Sequence, residues 1–132
     1  MQKVPTESVE QQKFIQWLKV KKIFHFATNN ENNTYKQDRK YAMIAESKAK
    51  SMGKLKGVSD LTIFLPNKII FIEMKRQGTT LKSGKISHSN SKVSDEQKAF
   101  IDKVNTYSYS AAFVAYGFNE AVKIVEQELQ VI

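Results

Sequence analysis

Two runs of β-forming residues held apart by a three-residue turn constrain this chain most. Leu61-Thr62-Ile63-Phe64-Leu65 and Ile69-Ile70-Phe71-Ile72-Glu73-Met74 flank Pro66-Asn67-Lys68. β-Branched and aromatic side chains favour extended backbone and Pro-Asn favours a turn, so the segment predicts an antiparallel hairpin. Both runs are apolar nearly throughout instead of alternating, which predicts a sheet covered on both faces.

The flanking sequence supplies the cover. Residues 6–20 carry Val9, Phe14, Trp17 and Leu18 near helical spacing, with Thr6 placed as an N-cap. Residues 23–28 form a short apolar and aromatic run that ends in Asn29-Asn30-Glu31-Asn32-Asn33, a strand entering a polar turn. Residues 41–52 predict a second helix with Gly53 at its C-terminal side. Ser94-Asp95-Glu96-Gln97 is a capping-box pattern, and Phe100, Ile101 and Val104 follow it as an apolar face. Residues 111–116 predict a last strand, and Asn119 opens a last helix striped by Ala121, Val122, Val125 and Leu129. The order helix, strand, helix, hairpin, helix, strand, helix implies the α/β class with a central mixed sheet flanked by helices. At 132 residues, one domain spanning 1–132 is expected.

Composition then narrows the chemistry. With no cysteine there is no disulfide framework, thiolate nucleophile, cysteine-held zinc or iron–sulfur cluster. No apolar run approaches the ~20 residues of a membrane span and the first residues are polar, so no membrane partner and a cytoplasmic setting are expected. The net charge is +8, and residues 36–92 hold 13 basic against 4 acidic residues. A basic middle suits a polyanion whose phosphates are neutralised without being read for sequence.

The residues best placed for chemistry lie in that basic middle. Asp60 opens the first hairpin strand and Glu73 nears the end of the second, so antiparallel pairing brings the two carboxylates to one end of the sheet. Glu73 and Lys75 are two apart and project from one face, after a run of purely apolar residues. Two carboxylates supply hard oxygen ligands to Mg²⁺ (or Mn²⁺), which keeps water and accepts phosphate oxygens. A neighbouring ammonium orients or helps deprotonate the attacking water and offsets charge building on phosphorus. These are the parts for phosphodiester hydrolysis. Read blandly, Glu73 and Lys75 are a surface ion pair and Asp60 is a turn residue or cap.

Gly57-Val58-Ser59-Asp60, an apolar strand, Ile72-Glu73-Met74-Lys75 and then Ser94-x-x-Gln97 resemble the VRR-NUC family of the PD-(D/E)XK nuclease superfamily. Glu7 with Gln11 four residues on, followed by Trp17-Leu18, is similar to that family's first helix. Asn30, Arg39 and Met52-Gly53 also resemble its small stand-alone members, many of them phage-encoded, and the likeness runs from about Glu7 to Glu128. It implies a restriction-endonuclease-like core and a metal-dependent DNA nuclease, selective for branched or flapped DNA, in a bacterial or phage-infected cell. By the same resemblance Asp60, Glu73 and the Met74 carbonyl would bind the metal, Lys75 would be the catalytic lysine, and Gln97 would reach into the site. Glu7 would complete the metal site, although Glu10 and Gln11 share its helical face and Glu10 competes for the role. Ser59 stands where the superfamily's nominal motif has proline. A Holliday-junction resolvase, a restriction-type endonuclease of the same fold and a non-catalytic DNA-binding module are the other readings.

Residues 77–92 are rich in Gly, Ser, Thr, Asn and Lys and predict a long surface loop without elements, longer than the family's usual link. With Arg76, Lys82, Lys85, His88 and Lys92 in or beside it, this basic loop at about 77–93 is expected to act as a mobile flap closing on a DNA backbone. Lys54, Lys56, Arg39 and Asn30 join it as nucleic-acid contacts, and a homodimer would present two sites. His25 and His88 have no histidine partner nearby, and the aromatics around the last strand are assigned mainly to the core.

Overall fold

The computed structural model describes residues 4–28, 39–88 and 91–130. Asn30 and the rest of the 29–38 segment lie outside the described residues. The elements are α1 (Glu7–Val20), β1 (His25–Ala27), α2 (Arg39–Ser51), β2 (Leu61–Leu65), β3 (Lys68–Lys75), β4 (Thr79–Thr80), β5 (Ile86–Ser87), α3 (Asp95–Val104), β6 (Ser110–Tyr116) and α4 (Phe118–Gln130). The class is α/β. The order differs from the expected one by the β4–β5 pair.

The main sheet runs β1-β2-β3-β6, antiparallel up to β3 and parallel between β3 and β6, and is therefore mixed. Strand pleating sorts its side chains. Leu61, Ile63, Leu65, Ile70, Ile72 and Met74 form one face and are buried with Phe14 and Leu18 of α1 and with Ala121 and Val125 of α4. Thr62, Phe71, Glu73 and Lys75 point the other way, toward α3, whose Phe100 meets Phe71 edge-on at 5.4 Å between centroids. Apolar residues on both faces are why the two runs do not alternate.

The expectation of full cover fails at one margin. Phe24, Phe26 and Phe64 lie beyond the reach of α3 and pack on each other with centroids 5.3 to 6.4 Å apart, yet remain 66%, 49% and 38% exposed. α2 buries none of its side chains. At the other margin, the Asn105 side chain pairs with both backbone groups of Ala112 and so occupies part of the free edge of β6.

The expected featureless loop is also corrected, because β4 and β5 form a small antiparallel hairpin within it. Its turn closes with the Leu81 amide donating to the Lys85 carbonyl at 2.8 Å and the Gly84 amide to the Leu81 carbonyl at 2.9 Å. Gly84 sits at φ +85°, a conformation that suits glycine. Strands of two residues are too short to show a period in the sequence.

Candidate active site

The β2–β3 register, Leu61 opposite Ile72, carries the Asp60 and Glu73 pair to one end of the sheet. Their carboxylates are interlocked with the backbone. The Asp60 amide donates to Glu73 Oε2 at 3.2 Å, and the Met74 amide donates to Asp60 Oδ2 at 2.8 Å. Met74 itself points into the core and is fully buried, so its backbone is what it brings to the site. Lys75 lies on the face of Glu73, with Nζ 3.7 Å from Glu73 Oε1, and only 13% of its side chain is exposed. Glu73 is 4% exposed.

Gln97 reaches this cluster from the first turn of α3. Its Oε1 accepts the Ser94 amide at 2.9 Å, the Ser94 hydroxyl accepts the Gln97 amide at 3.1 Å, and its Nε2 donates to Glu73 Oε1 at 2.7 Å. The capping-box and site readings of Gln97 are thus both realised. Gly57 permits the approach of α3, since a Cβ there would overlap the Glu96 carbonyl and stand 2.7 Å from the Gln97 nitrogen.

Burial dominates the electrostatics of these carboxylates. Burial, reinforced by the charge of Asp60, pushes the Glu73 carboxyl up to about 7, against the pull of Lys75. Burial also raises Asp60, opposed by the Met74 amide and Lys75. Glu7 is raised by burial and then by Asp60, which couples it to this cluster. Glu10 faces elsewhere: its Oε1 accepts from Gln77 Nε2 at 2.5 Å and from the Phe118 amide at 3.2 Å, at the start of α4. Among the described residues no three His, Cys, Asp or Glu side chains form a ready cage for a metal. The donor set of Asp60, Glu73 and the Met74 carbonyl, with Glu7 at the exposed edge, fits Mg²⁺ or Mn²⁺. Mg²⁺ needs only one or two carboxylates alongside water and phosphate.

The basic residues are more dispersed. Lys82 and Lys85 occupy the β4–β5 turn, and Lys92 is exposed ahead of α3. Arg39 is exposed at the start of α2, and Lys54 is exposed after its end. Lys56 pairs with Glu46 at 2.9 Å. Arg76 donates to the Val4 and Pro5 carbonyls at 2.7 and 3.2 Å and so ties the lead-in of α1 to the end of β3. His25 Nδ1 lies 2.8 Å from the Ile23 carbonyl, while the His88 ring lies tilted against Tyr116.

Sequence reasoning missed Gln77, whose amide locks onto Glu10, and the buried Ser59 hydroxyl, which makes no hydrogen bond among the described residues. Neither carried a signal, because both depend on which elements meet. Gly57 stands in the motif that carries the family resemblance, but the close approach it permits depends on where α3 packs.

The family match makes this α/β chain a nuclease-type domain. The VRR-NUC domain family matches residues 5–119, and the chain belongs to it. Placement in the PD-(D/E)XK superfamily is consistent with that membership. A solved structure described as a VRR_NUC domain protein has the same fold, with 20% identity and a TM-score of 0.69 over 98% of this chain and 92% of the other. Comparison with curated proteins found no match. No helix among the described residues is long and apolar enough to cross a membrane.

Proposed function

We propose that this chain is a Mg²⁺- or Mn²⁺-dependent deoxyribonuclease that hydrolyses phosphodiester bonds, with preference for branched or flapped DNA. The observation that carries the reading is the convergence of Asp60, Glu73, Lys75 and Gln97 on one face at one end of the sheet, with both carboxylates raised. Raised carboxyls in contact with a fixed ammonium are costly to a fold and are concentrated at functional sites.

Asp60 and Glu73, with the Met74 carbonyl and Glu7, would hold the cation. When bound, it supplies Lewis acidity at the scissile phosphate and relieves the repulsion among these carboxylates. Lys75 orients the attacking water and offsets the charge that builds on the phosphoryl oxygens. Gln97 acts one step back, fixing the Glu73 carboxylate through its Nε2 while the capping box fixes Gln97. Arg39, Lys54, Lys56, Lys82, Lys85 and Lys92, together with Arg76 and Asn30, approach the DNA backbone, so contacts to phosphate outweigh contacts to base edges. The whole chain, 1–132, acts as one domain in the cytoplasm. The exposed rings of Phe24, Phe26 and Phe64 make the open sheet margin the surface on which two copies would meet as a homodimer.

The test is cleavage of labelled linear, flapped and four-way DNA in EDTA, Mg²⁺ or Mn²⁺ by wild type, Glu73→Ala and Lys75→Ala. Metal-dependent cutting that both variants lose supports the reading, and the ranking of substrates separates a flap nuclease from a junction resolvase or a restriction-type enzyme. Salt-sensitive binding with no cutting of any substrate would make the chain a binding module instead.

A further inference from the structure

α1 is seated on the sheet by its second half. Phe14 and Leu18 are fully buried, whereas Glu7, Ser8 and Val9 are exposed. At 1.5 Å per residue, Glu7 stands about 10 Å along the helix axis from Phe14. α1 also packs on the face of Ile72 and Met74, while Glu73 and Lys75 project from the other face. Glu7 therefore meets Asp60 and Lys75, whose charges both act on its carboxyl, around the end of the sheet. Apolar packing does not fix its place there, and a helix end held by little burial opens readily.

The two residues that follow Lys75 do fix it. Arg76 spreads its guanidinium over the chain ahead of the helix, with Nε donating to the Pro5 carbonyl at 3.2 Å and Nη2 to the Val4 carbonyl at 2.7 Å. Gln77 grips the helix on the far side of Glu7, its Nε2 donating to Glu10 Oε1 at 2.5 Å. The Phe118 amide donates to the same oxygen at 3.2 Å and ties in the start of α4. Gly117, at φ +100°, leaves room for the pair, since a Cβ there would stand 2.6 Å from Gln77 Cγ and 2.9 Å from Glu10 Oε1. Glu10 is 3% exposed, and its Oε2 makes no hydrogen bond among the described residues, which is a costly way to seat a helix. An apolar side chain at position 10 would pack α1 on α4 without that cost, but it could not hold Gln77.

Resting on the nuclease reading above, we infer that Arg76 and the Gln77–Glu10 pair are positioning residues, a two-point clamp that brackets Glu7, locks the first turns of α1 to the end of β3 and so holds the Glu7 carboxylate beside Asp60 and Lys75, where the cation would bind. The clamp is built on the two residues next to Lys75, so the acid of the first helix and the lysine of the third strand are set by one piece of backbone. Outer hydrogen bonds of this kind change metal affinity about 10- to 100-fold.

The experiment titrates Mn²⁺ into full-length protein by isothermal calorimetry without DNA, so that a contact to phosphate cannot affect the reading. Arg76→Ala and Gln77→Ala should each weaken Mn²⁺ binding about 10-fold or more. Arg76→Lys should weaken it likewise, because an ammonium keeps the charge but not the fork that spans two carbonyls. Glu7→Gln should fall as far, and Glu7→Gln/Arg76→Ala no further than Glu7→Gln alone, because the clamp acts through Glu7. Glu10→Gln keeps an acceptor for Gln77 and Phe118 and should bind as wild type does. Circular dichroism melts confirm that each variant is folded at the temperature of the titration. Wild-type affinity in Arg76→Ala, additive losses in the double variant, or a loss in Glu10→Gln equal to that in Glu7→Gln overturns the clamp, and the nuclease reading stands if wild type still cuts DNA. Coupled losses in a protein that cuts no DNA overturn the nuclease reading and leave the clamp. Wild type that binds no Mn²⁺ overturns the clamp together with the metal site.

Discussion

Alanine at Gly57 and at Gly53 separates the cost of backbone conformation from the cost of lost space. Both glycines have positive φ, +86° and +100° respectively. Nothing lies within 4 Å of a Cβ at Gly53, so Gly53→Ala pays only for the left-handed backbone, about 1–2 kcal/mol. At Gly57 the new Cβ overlaps the Glu96 carbonyl, and backbone cannot rotate aside as a side chain would. Forcing α3 outward adds about 1–3 kcal/mol. For 132 residues, an unfolding entropy of about 2.1 cal/mol/K per residue turns each kcal/mol into roughly 3.6 °C. Gly53→Ala should then lower Tm by about 4–7 °C and Gly57→Ala by about 7–18 °C in calorimetric or circular dichroism melts. The displacement of α3 also pulls Gln97 from Glu73, so Gly57→Ala should lose about 10- to 100-fold in cleavage or metal affinity while Gly53→Ala keeps both. Equal falls in Tm, or full activity in Gly57→Ala, would refute the claim that α3 is seated on Gly57 to deliver Gln97.

Three further outcomes follow from the site. The folded protein holds a proton on Glu73 more tightly than the unfolded chain does, so this residue costs nothing below pH 4.5 and its penalty grows as pH rises toward 7, reaching about 3 kcal/mol. Metal-free Tm should therefore fall across that window, Mg²⁺ at pH 8 should restore it, and Glu73→Gln should flatten both responses; a wild-type Tm that rises from pH 5 to 8 with Glu73→Gln tracking it would contradict the assignment. Gln97→Glu keeps the capping box but sets a carboxylate against Glu73, so cleavage should drop about 10- to 100-fold with Tm shifted by only a few degrees; unchanged cleavage would separate Gln97 from the site. Replacing Lys82, Lys85 and Lys92 together by alanine should reduce the salt slope of DNA binding by up to about 3, and an unchanged slope would remove these lysines from the interface.

Much of the site could be read in the sequence because one pattern fixed several positions at once. The apolar runs flanking Pro66-Asn67 set the hairpin register, and the register alone puts Asp60 beside Glu73 and Lys75 on the same face as Glu73. The choice between Glu7 and Glu10 stayed open because both lie on one face of α1. It is the packing of α1 against α4 that gives Glu10 to the Phe118 amide and leaves Glu7 coupled to Asp60. The β4–β5 hairpin was hidden for a related reason. Its shape comes from Glu10, Gly78 and Tyr116, on three separate segments, and two-residue strands carry no period of their own. The open aromatic margin escaped because apolar runs report what a strand offers and not where a helix packs; α3 lies over β6 and meets Phe71, while Phe24, Phe26 and Phe64 on β1 and β2 stay exposed.

Gln97 shows why a local signal and a functional one need not compete. As a cap it satisfies the Ser94 amide, and as a site residue it holds Glu73, which look like rival uses of one side chain. The amide has two ends, and the cap decides which end faces the site. With Oε1 committed to the Ser94 N–H, only the Nε2 donor is left to meet Glu73, and a donor is what a buried carboxylate requires. The cap therefore sets the polarity of the site contact, and the rigidity of the helix terminus becomes the rigidity of the carboxylate. A glutamate at position 97 can cap equally well but presents a second acceptor to Glu73, so the sequence distinguishes a capping residue from a capping residue that also serves the site by its amide alone.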